Sequence, residues 1–325
     1  MAIVQLDRIR KVYDTKVAVE GLSLTVEAGT MFGLLGPNGS GKTSSIRMMI
    51  GITMPDSGSV SLFGKPFVRS HLGRVGYLPE ERGLYKKMKV LDQLVFLGRL
   101  HYLGAALAEQ RARDWCEKLQ IADTLHKKTE DLSKGMQQKV QFIGALLHDP
   151  DLIIMDEPFS GLDPVNANML MDTLLELRSR GKAVLFSTHR MDQVEKLCDN
   201  IALIHRGKLV LYGSMHDIKS RYPHNRIHIK FEGDDSFLHH PCVECVHRFP
   251  GQADVRLRPS ATLADDAQAL LARALQHARV THFAVTEPTL EEIFIEKVQE
   301  ISPGADPIEP ALEEIEEPVG SYLDA

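Results

Sequence analysis

This 325-residue sequence predicts an α/β fold: a mainly parallel sheet with an antiparallel β unit, a helical unit and a small α+β C-terminal domain. Three observations predict it. Residues 36–43 read GPNGSGKT, a G-x-x-x-x-G-K-[ST] phosphate loop set between an apolar run (31–35) and a run with helical spacing (44–50). A second apolar run, 152–155, ends in two acids, Asp156 and Glu157. From Leu152 onward apolar strands alternate with helical stretches, as they do around a parallel sheet.

The elements follow in order. Residues 4–7 and 22–26 alternate polar and apolar as half-buried strands do. Residues 59–64 form a strand after Pro55-Asp56-Ser57-Gly58, a hairpin-type turn signal. Residues 88–148 read mainly as helix, with Leu91, Leu94, Val95 and Leu97 along one stripe. A hairpin over 201–211, turning at Arg206-Gly207, closes a first domain spanning 1–218. A second domain covers 222–300. Ile227, Ile229 and Phe231 alternate as on a strand, Val255, Leu257 and residues 282–285 add further strands, and 265–278 is an Ala- and Leu-rich helix. Thr289 and Glu292 have capping-box spacing ahead of an apolar stripe of Leu290, Ile293, Phe294 and Val298. The tail, 301–325, holds seven acids, four prolines and no Lys or Arg, the composition of a disordered segment. Removing its −7 from the net −6 leaves the rest at +1, with no basic patch to mark a nucleic-acid partner.

The chemistry lies in the two motifs. Gly36, Gly39 and Gly41 let backbone N–H groups turn inward around an anion, with Pro37, Asn38 and Ser40 completing the loop. Lys42 is placed to reach the β- and γ-phosphates of a nucleotide, and Thr43, followed by Ser44, to offer its hydroxyl to Mg²⁺. Asp156, at the carboxyl end of a buried strand, suits the same cation, and Glu157 suits a general base for water. A chance glycine-rich turn or a pair of solvated acids would explain either motif alone, but not both together.

Residues 132–138 read LSKGMQQ, and Ser133 stands 24 positions before Glu157. This combination resembles the ATP-binding-cassette (ABC) family. The resemblance implies a P-loop NTPase core that binds ATP and Mg²⁺. It implies that Ser133 and Gly135 serve the nucleotide of a partner subunit and that Asp163, in Ser160-Gly161-Leu162-Asp163, crosses the dimer interface. His189, after the apolar run 183–188, takes the place of the switch histidine at the γ-phosphate, and Tyr13 the place of the ring against adenine. Two departures stand out: Lys134 and Met136 replace the family's usual glycine and glutamine, and Glu80 stands where a glutamine usually follows the proline. The run Glu80-Glu81-Arg82-Gly83 resembles the branch of sodium-extruding and drug-exporting ABC ATPases. Glu80 is therefore a candidate Mg²⁺ ligand that relays the ATP state to a membrane subunit, with Arg82 as a partner holding it when ATP is absent.

The resemblance implies an ATP hydrolase working as a homodimer or heterodimer with a separate transmembrane permease, without nucleic acid. No run of about 18 apolar residues offers a membrane span, and the N-terminus lacks a signal-peptide layout. The expected place is the cytoplasm, peripheral on the membrane through the permease, with all four cysteines reduced. The alternative is a soluble ABC ATPase acting on ribosomes or DNA, although the chain has one cassette and no heptad run. Cys242 and Cys245, flanked by His239, His240 and His247, have the spacing of zinc ligands, but a turn with incidental cysteines is the commoner meaning.

Overall fold

A computed structural model describes residues 1–81, 83–222, 225–258 and 263–301. The acidic tail from 302 onward and Arg82, the suggested holder of Glu80, lie outside the described residues.

The chain opens with β1 (Ala2–Tyr13), β2 (Lys16–Glu27) and β3 (Met31–Leu35), then the phosphate loop and α1 (Lys42–Met49). Strands β4 (Ser57–Leu62), β5 (Lys65–Pro66) and β6 (Val75–Leu78) lead to the helices α2 (Val90–Leu100), α3 (Ala105–Lys118) and α4 (Lys134–Leu146). Next come β7 (Leu152–Asp156), α5 (Pro164–Ser179), β8 (Ala183–Thr188), α6 (Met191–Leu197), β9 (Asn200–His205), β10 (Lys208–Ser214) and α7 (Met215–Ser220). The C-terminal part holds β11 (Arg226–Gly233), β12 (Val243–Phe249), β13 (Gln252–Leu257), α8 (Leu263–His277), β14 (Ala278–Thr286) and α9 (Leu290–Ile301).

The central sheet has the order β10-β9-β3-β8-β7-β6, with β9, β3, β8, β7 and β6 parallel and β10 antiparallel at the edge. Its strands read as unbroken apolar runs because both faces are buried. Met31, Leu35, Ile153, Met155, Val184 and Phe186 enter one core with α2, α4 and α5, and Phe32, Leu34, Leu152, Ile154 and Leu185 enter a second core. That second core is shared with α1 and the antiparallel sheet β2-β1-β4-β5. Asp156 continues the second set in the period-two alternation and so falls on the α1 side, where Thr43 lies in the first turn of that helix.

The C-terminal sheet, in the order β12-β13-β11-β14, is antiparallel and packs Ile227, Ile229, Phe231, Val255 and Leu257 against α8. Helix α9 behaves differently. Its capping box forms as the spacing predicts, with Thr289 N donating to Glu292 Oε2 at 2.8 Å and Glu292 N to Thr289 Oγ1 at 3.3 Å. Its stripe (Leu290, Ile293, Phe294, Val298) joins the core beneath α6 and not that of its own sheet. Each such burial contributes roughly 1.5–3 kcal/mol. Leu290 N also donates to Glu195 Oε1 on α6 at 2.6 Å, and Arg226 pairs with Glu292. The accessory sheet is thus attached to the first domain by the helix α9.

Two expectations need correction. Residues 55–58 make no hairpin, because Pro55 and Asp56 lead from α1 into β4, which begins at Ser57 and pairs with β1. Asp56 there is an anchor that accepts from Lys11 Nζ and Val12 N, both at 2.7 Å, and the nearby hairpin turns at Phe63 (φ 55°) and Gly64 (φ 72°). The Cys242–Cys245 segment is only partly a turn. Cys245 and His247 lie on β12, paired across to Arg256 and Asp254. Among the described residues no three His, Cys, Asp or Glu side chains close on one point as metal ligands, and no helix is long and apolar enough to cross a membrane.

Beyond the end of α4, His148 stacks on His101 with ring centroids 3.7 Å apart, and its Nε2 lies 3.0 Å from Val75 O. Burial first, then the neighbouring His101, pushes the His148 pKa down from 6.5 to about 4. The unfolded chain binds the proton more readily, so this residue costs nothing above pH 6.5. Stability is then lost progressively as pH falls from 6.5 towards 4. The melting temperature of the wild type should fall more steeply over that window than that of His148→Gln. Parallel curves would show that the histidine is not the cause.

Candidate functional site

The phosphate loop folds as it does because three of its glycines have conformations that side chains resist. Gly36, Gly39 and Gly41 have φ of 151°, 74° and 112°. A Cβ on Gly36 would stand 2.2 Å from Ile204 O, and one on Gly41 2.4 Å from Ala18 O. Gly207 N donates to Ser40 O at 2.8 Å, so the β9–β10 hairpin also holds the loop. Gly41 precedes α1 without a side-chain cap, which leaves the first N–H groups of that helix for an anion.

A cavity of about 360 Å³ is lined by Asn38, Gly39, Ser40, Gly41, Lys42, Thr43 and Ser44 on the loop side. Glu80, Asp156 and Glu157 face them, and Tyr13, Lys16 and Ala18 form the mouth. Tyr13 ends β1, 41% exposed, with Lys11 Nζ 5.6 Å from its ring centroid. Gly36 and Pro37 are not among the lining residues, and their carbonyls accept from Lys42 Nζ at 2.7 and 3.3 Å. Lys42 Nζ is also 3.7 Å from Glu157 Oε1. Burial lowers the Lys42 pKa, and Glu157, followed by Asp156, pulls it back up. The acids offset only part of the burial effect, and the Lys42 pKa stays below its ordinary value.

The acid pair is tightly built. Asp156 Oδ1 accepts from Ser187 Oγ across the β7–β8 register, whereas its Oδ2 is buried without a hydrogen-bond partner in the described structure. Glu157 departs from strand geometry with φ 48°, and its N–H is held by Ser187 O at 3.1 Å and Ser187 Oγ at 3.2 Å. A non-glycine residue in that region costs on the order of 1–3 kcal/mol and persists where the surroundings impose it. Here it aims the carboxylate across at Lys42 and at His189, whose Nδ1 is 3.0 Å from Glu157 Oε1. Ser187 went unnoticed in sequence because a serine inside an apolar strand carries no pattern. Its only signal is that it lies opposite Asp156 once the register is known. Lys16, exposed at the cavity mouth, was likewise missed.

The remaining expected residues stand apart from this cavity. Ser133 caps α4 and accepts from Met136 N at 3.3 Å; it and Lys134 are exposed and Gly135 is half-buried. Asp163 caps α5, accepting from Val165 N at 3.1 Å and Asn166 N at 3.0 Å, and these bonds, Asn166 first, hold its carboxyl below the usual range. One chain alone does not bring these residues to the nucleotide cavity.

A family model described as "ABC transporter" matches residues 19–160, and one described as "ATP-binding protein DrrA1-3-like, C-terminal domain" matches 213–298. The ABC transporter ATP-binding protein YhaQ of Bacillus subtilis is 43% identical over 295 residues, covering 90% of this chain and 97% of its own. The chain belongs to the ATP-binding subunits of ABC transporters. This ABC ATPase is also 32% identical over 306 residues to the linearmycin resistance ATP-binding protein LnrL of Bacillus subtilis, covering 90% of this chain and 97% of that one. Among solved structures, an "ATP binding subunit of ABC transporter" superposes with a TM-score of 0.62 at 29% identity, over 67% of this chain and 92% of that one. ABC ATPases hydrolyse ATP to power transport, dimerise and work with a membrane permease. This subunit therefore supplies the ATP-driven half of such a transporter.

Proposed function

We propose that the cavity binds ATP with Mg²⁺ and that Glu157 is the general base of hydrolysis, in the service of an exporter. The observation that carries this is the buried, unpartnered Asp156 Oδ2 beside Lys42 and Glu157. An oxygen taken out of water without a partner is costly, and a hard cation satisfies it. Thr43, Asp156 and Glu80 would supply the oxygen donors Mg²⁺ prefers, and the ion would supply charge neutralisation for the phosphates. Lys42 then holds the β- and γ-phosphates, the loop N–H groups cradle them, and Tyr13 meets the base. His189 fixes the Glu157 carboxylate, which takes the proton of the attacking water. Ser133, Gly135 and Asp163 stand outside the cavity, in keeping with a role toward the nucleotide of the second subunit of the dimer.

A groove of about 400 Å³ between the central sheet and the helices α2 and α4 offers Ile52, Leu72, Leu97 and Leu100 to the permease. Export as the direction is supported by LnrL, a resistance protein by name, and by the C-terminal domain it shares in kind. The subunit then sits on the cytoplasmic face of the membrane through its permease. The test is site-directed crosslinking in native membranes from Leu100→Cys, with the tagged subunit purified in detergent. A crosslinked polytopic membrane protein is expected. Recovery of only ribosomal proteins or DNA would instead favour a soluble ABC ATPase.

A further inference from the structure

Among the described residues, no side-chain bond of its own fixes where Glu80 points. It is exposed, and among the described residues its carboxylate makes no hydrogen bond or ion pair. Its aim is therefore set by the backbone that carries it, a short turn after β6. That backbone is held from α4: Gln141 Nε2 donates to Pro79 O at 3.2 Å and to Glu81 O at 3.1 Å, one carbonyl on each side of Glu80. Gln141 is 8% exposed, its Oε1 has no partner among the described residues, and its Nε2 spans both carbonyls of this one turn. One helical turn earlier, Gln138 Nε2 donates to Pro158 O at 3.1 Å, next to Glu157. Positions 138 and 141 share a face of α4, so one helix holds both acid-bearing loops. Gln141 also lines the apolar groove, beside Pro79 and Tyr77.

We propose that Gln141 is a positioning residue that aims Glu80 at the cation in the ATP site, and so ties the groove to that site through one side chain. The inference rests on the reading of Glu80 as a cation ligand. An aliphatic residue at 141 would leave two carbonyls unheld, letting the turn relax and the carboxylate swing away. Outer-sphere partners of this kind are worth about 10–100-fold in metal affinity.

The test uses Mn²⁺ as probe, bound with ATP in the Glu157→Gln background and followed by its electron paramagnetic resonance signal. ATP affinity without metal is measured alongside, and thermal unfolding reports on folding. Glu80→Gln is expected to weaken Mn²⁺ binding about tenfold. Gln141→Met should weaken it several-fold, leave metal-free ATP binding unchanged, and add nothing in the Glu80→Gln background. If Gln141→Met does not fold, Gln141→Asn, whose amide is one methylene short of the turn, takes its place. If Glu80→Gln leaves Mn²⁺ affinity unchanged, the reading of Glu80 is wrong and this inference goes with it. If Glu80→Gln acts but the Gln141 change does not, or if the two losses add, only the positioning role is overturned.

Discussion

Glu157→Gln should slow ATP hydrolysis by on the order of 10²–10⁴ while leaving ATP bound. The substitution keeps the volume of the side chain and its backbone anchors to Ser187, so the strained φ of 48° is imposed as before. It removes the proton acceptor and one negative charge beside Lys42, whose ion pair with Glu157 spans 3.7 Å. Less repulsion then faces the phosphates, and binding should hold or tighten. ATP should accumulate on the protein and keep two subunits closed. The measurement pairs steady-state phosphate release with light scattering in the presence of ATP. A variant that hydrolyses at the wild-type rate, or that stays monomeric with ATP bound, would remove Glu157 from this role.

The second large effect is expected from Gly36→Ala. A single methyl group added there would meet Ile204 O at 2.2 Å and Ser40 Oγ at 2.5 Å, well inside contact distance. The φ of 151° resists a side chain in any case, at about 1–3 kcal/mol. Neither neighbour can retreat easily. Ile204 belongs to β9, next to β3 in the central sheet, and Ser40 O is bonded to Gly207 N. The loop itself must move, and with it the Gly36 carbonyl that accepts from Lys42. We expect ATP affinity to fall by about 100-fold or more, because 2–3 kcal/mol of distortion falls on the anion cradle itself. Melting temperature should fall with it. Gly39→Ala is the control: its φ of 74° is also unfavourable, but the space around it is open, so its loss should be smaller. Equal losses for the two would mean that φ alone, and not the contact with β9, governs the loop.

Much of the site was legible because it is local. The phosphate loop, Asp156-Glu157 and His189 each sit at the end of a strand whose burial shows as a run of apolar residues, and a strand end fixes where the next side chain emerges. The hairpin at Arg206-Gly207 was legible for the same reason, since two consecutive positive φ values (48° and 78°) suit that dipeptide. What stayed hidden depends on partners far along the chain. Ser187 matters because β7 and β8 align it with Asp156, and Gln141 because α4 passes the turn after β6. Residues 55–58 misled because turn residues also serve as anchors, and Asp56 spends its acceptors on β1.

The family was thus legible in the sequence: a phosphate loop, an acid pair ending a buried strand, and a polar segment 24 residues before the second acid, in an order that one family shares. How these parts are held depends on the packing of distant elements. That packing placed the apolar stripe of α9 on the core beneath α6 and not on its own sheet, and it gave both acid-bearing loops to one helix. The physical reason is one of range. Backbone conformation and strand burial are set within a few residues and leave a periodic trace, whereas an amphipathic stripe or a buried amide shows only that it needs a partner. Which partner it meets is settled when the layers pack.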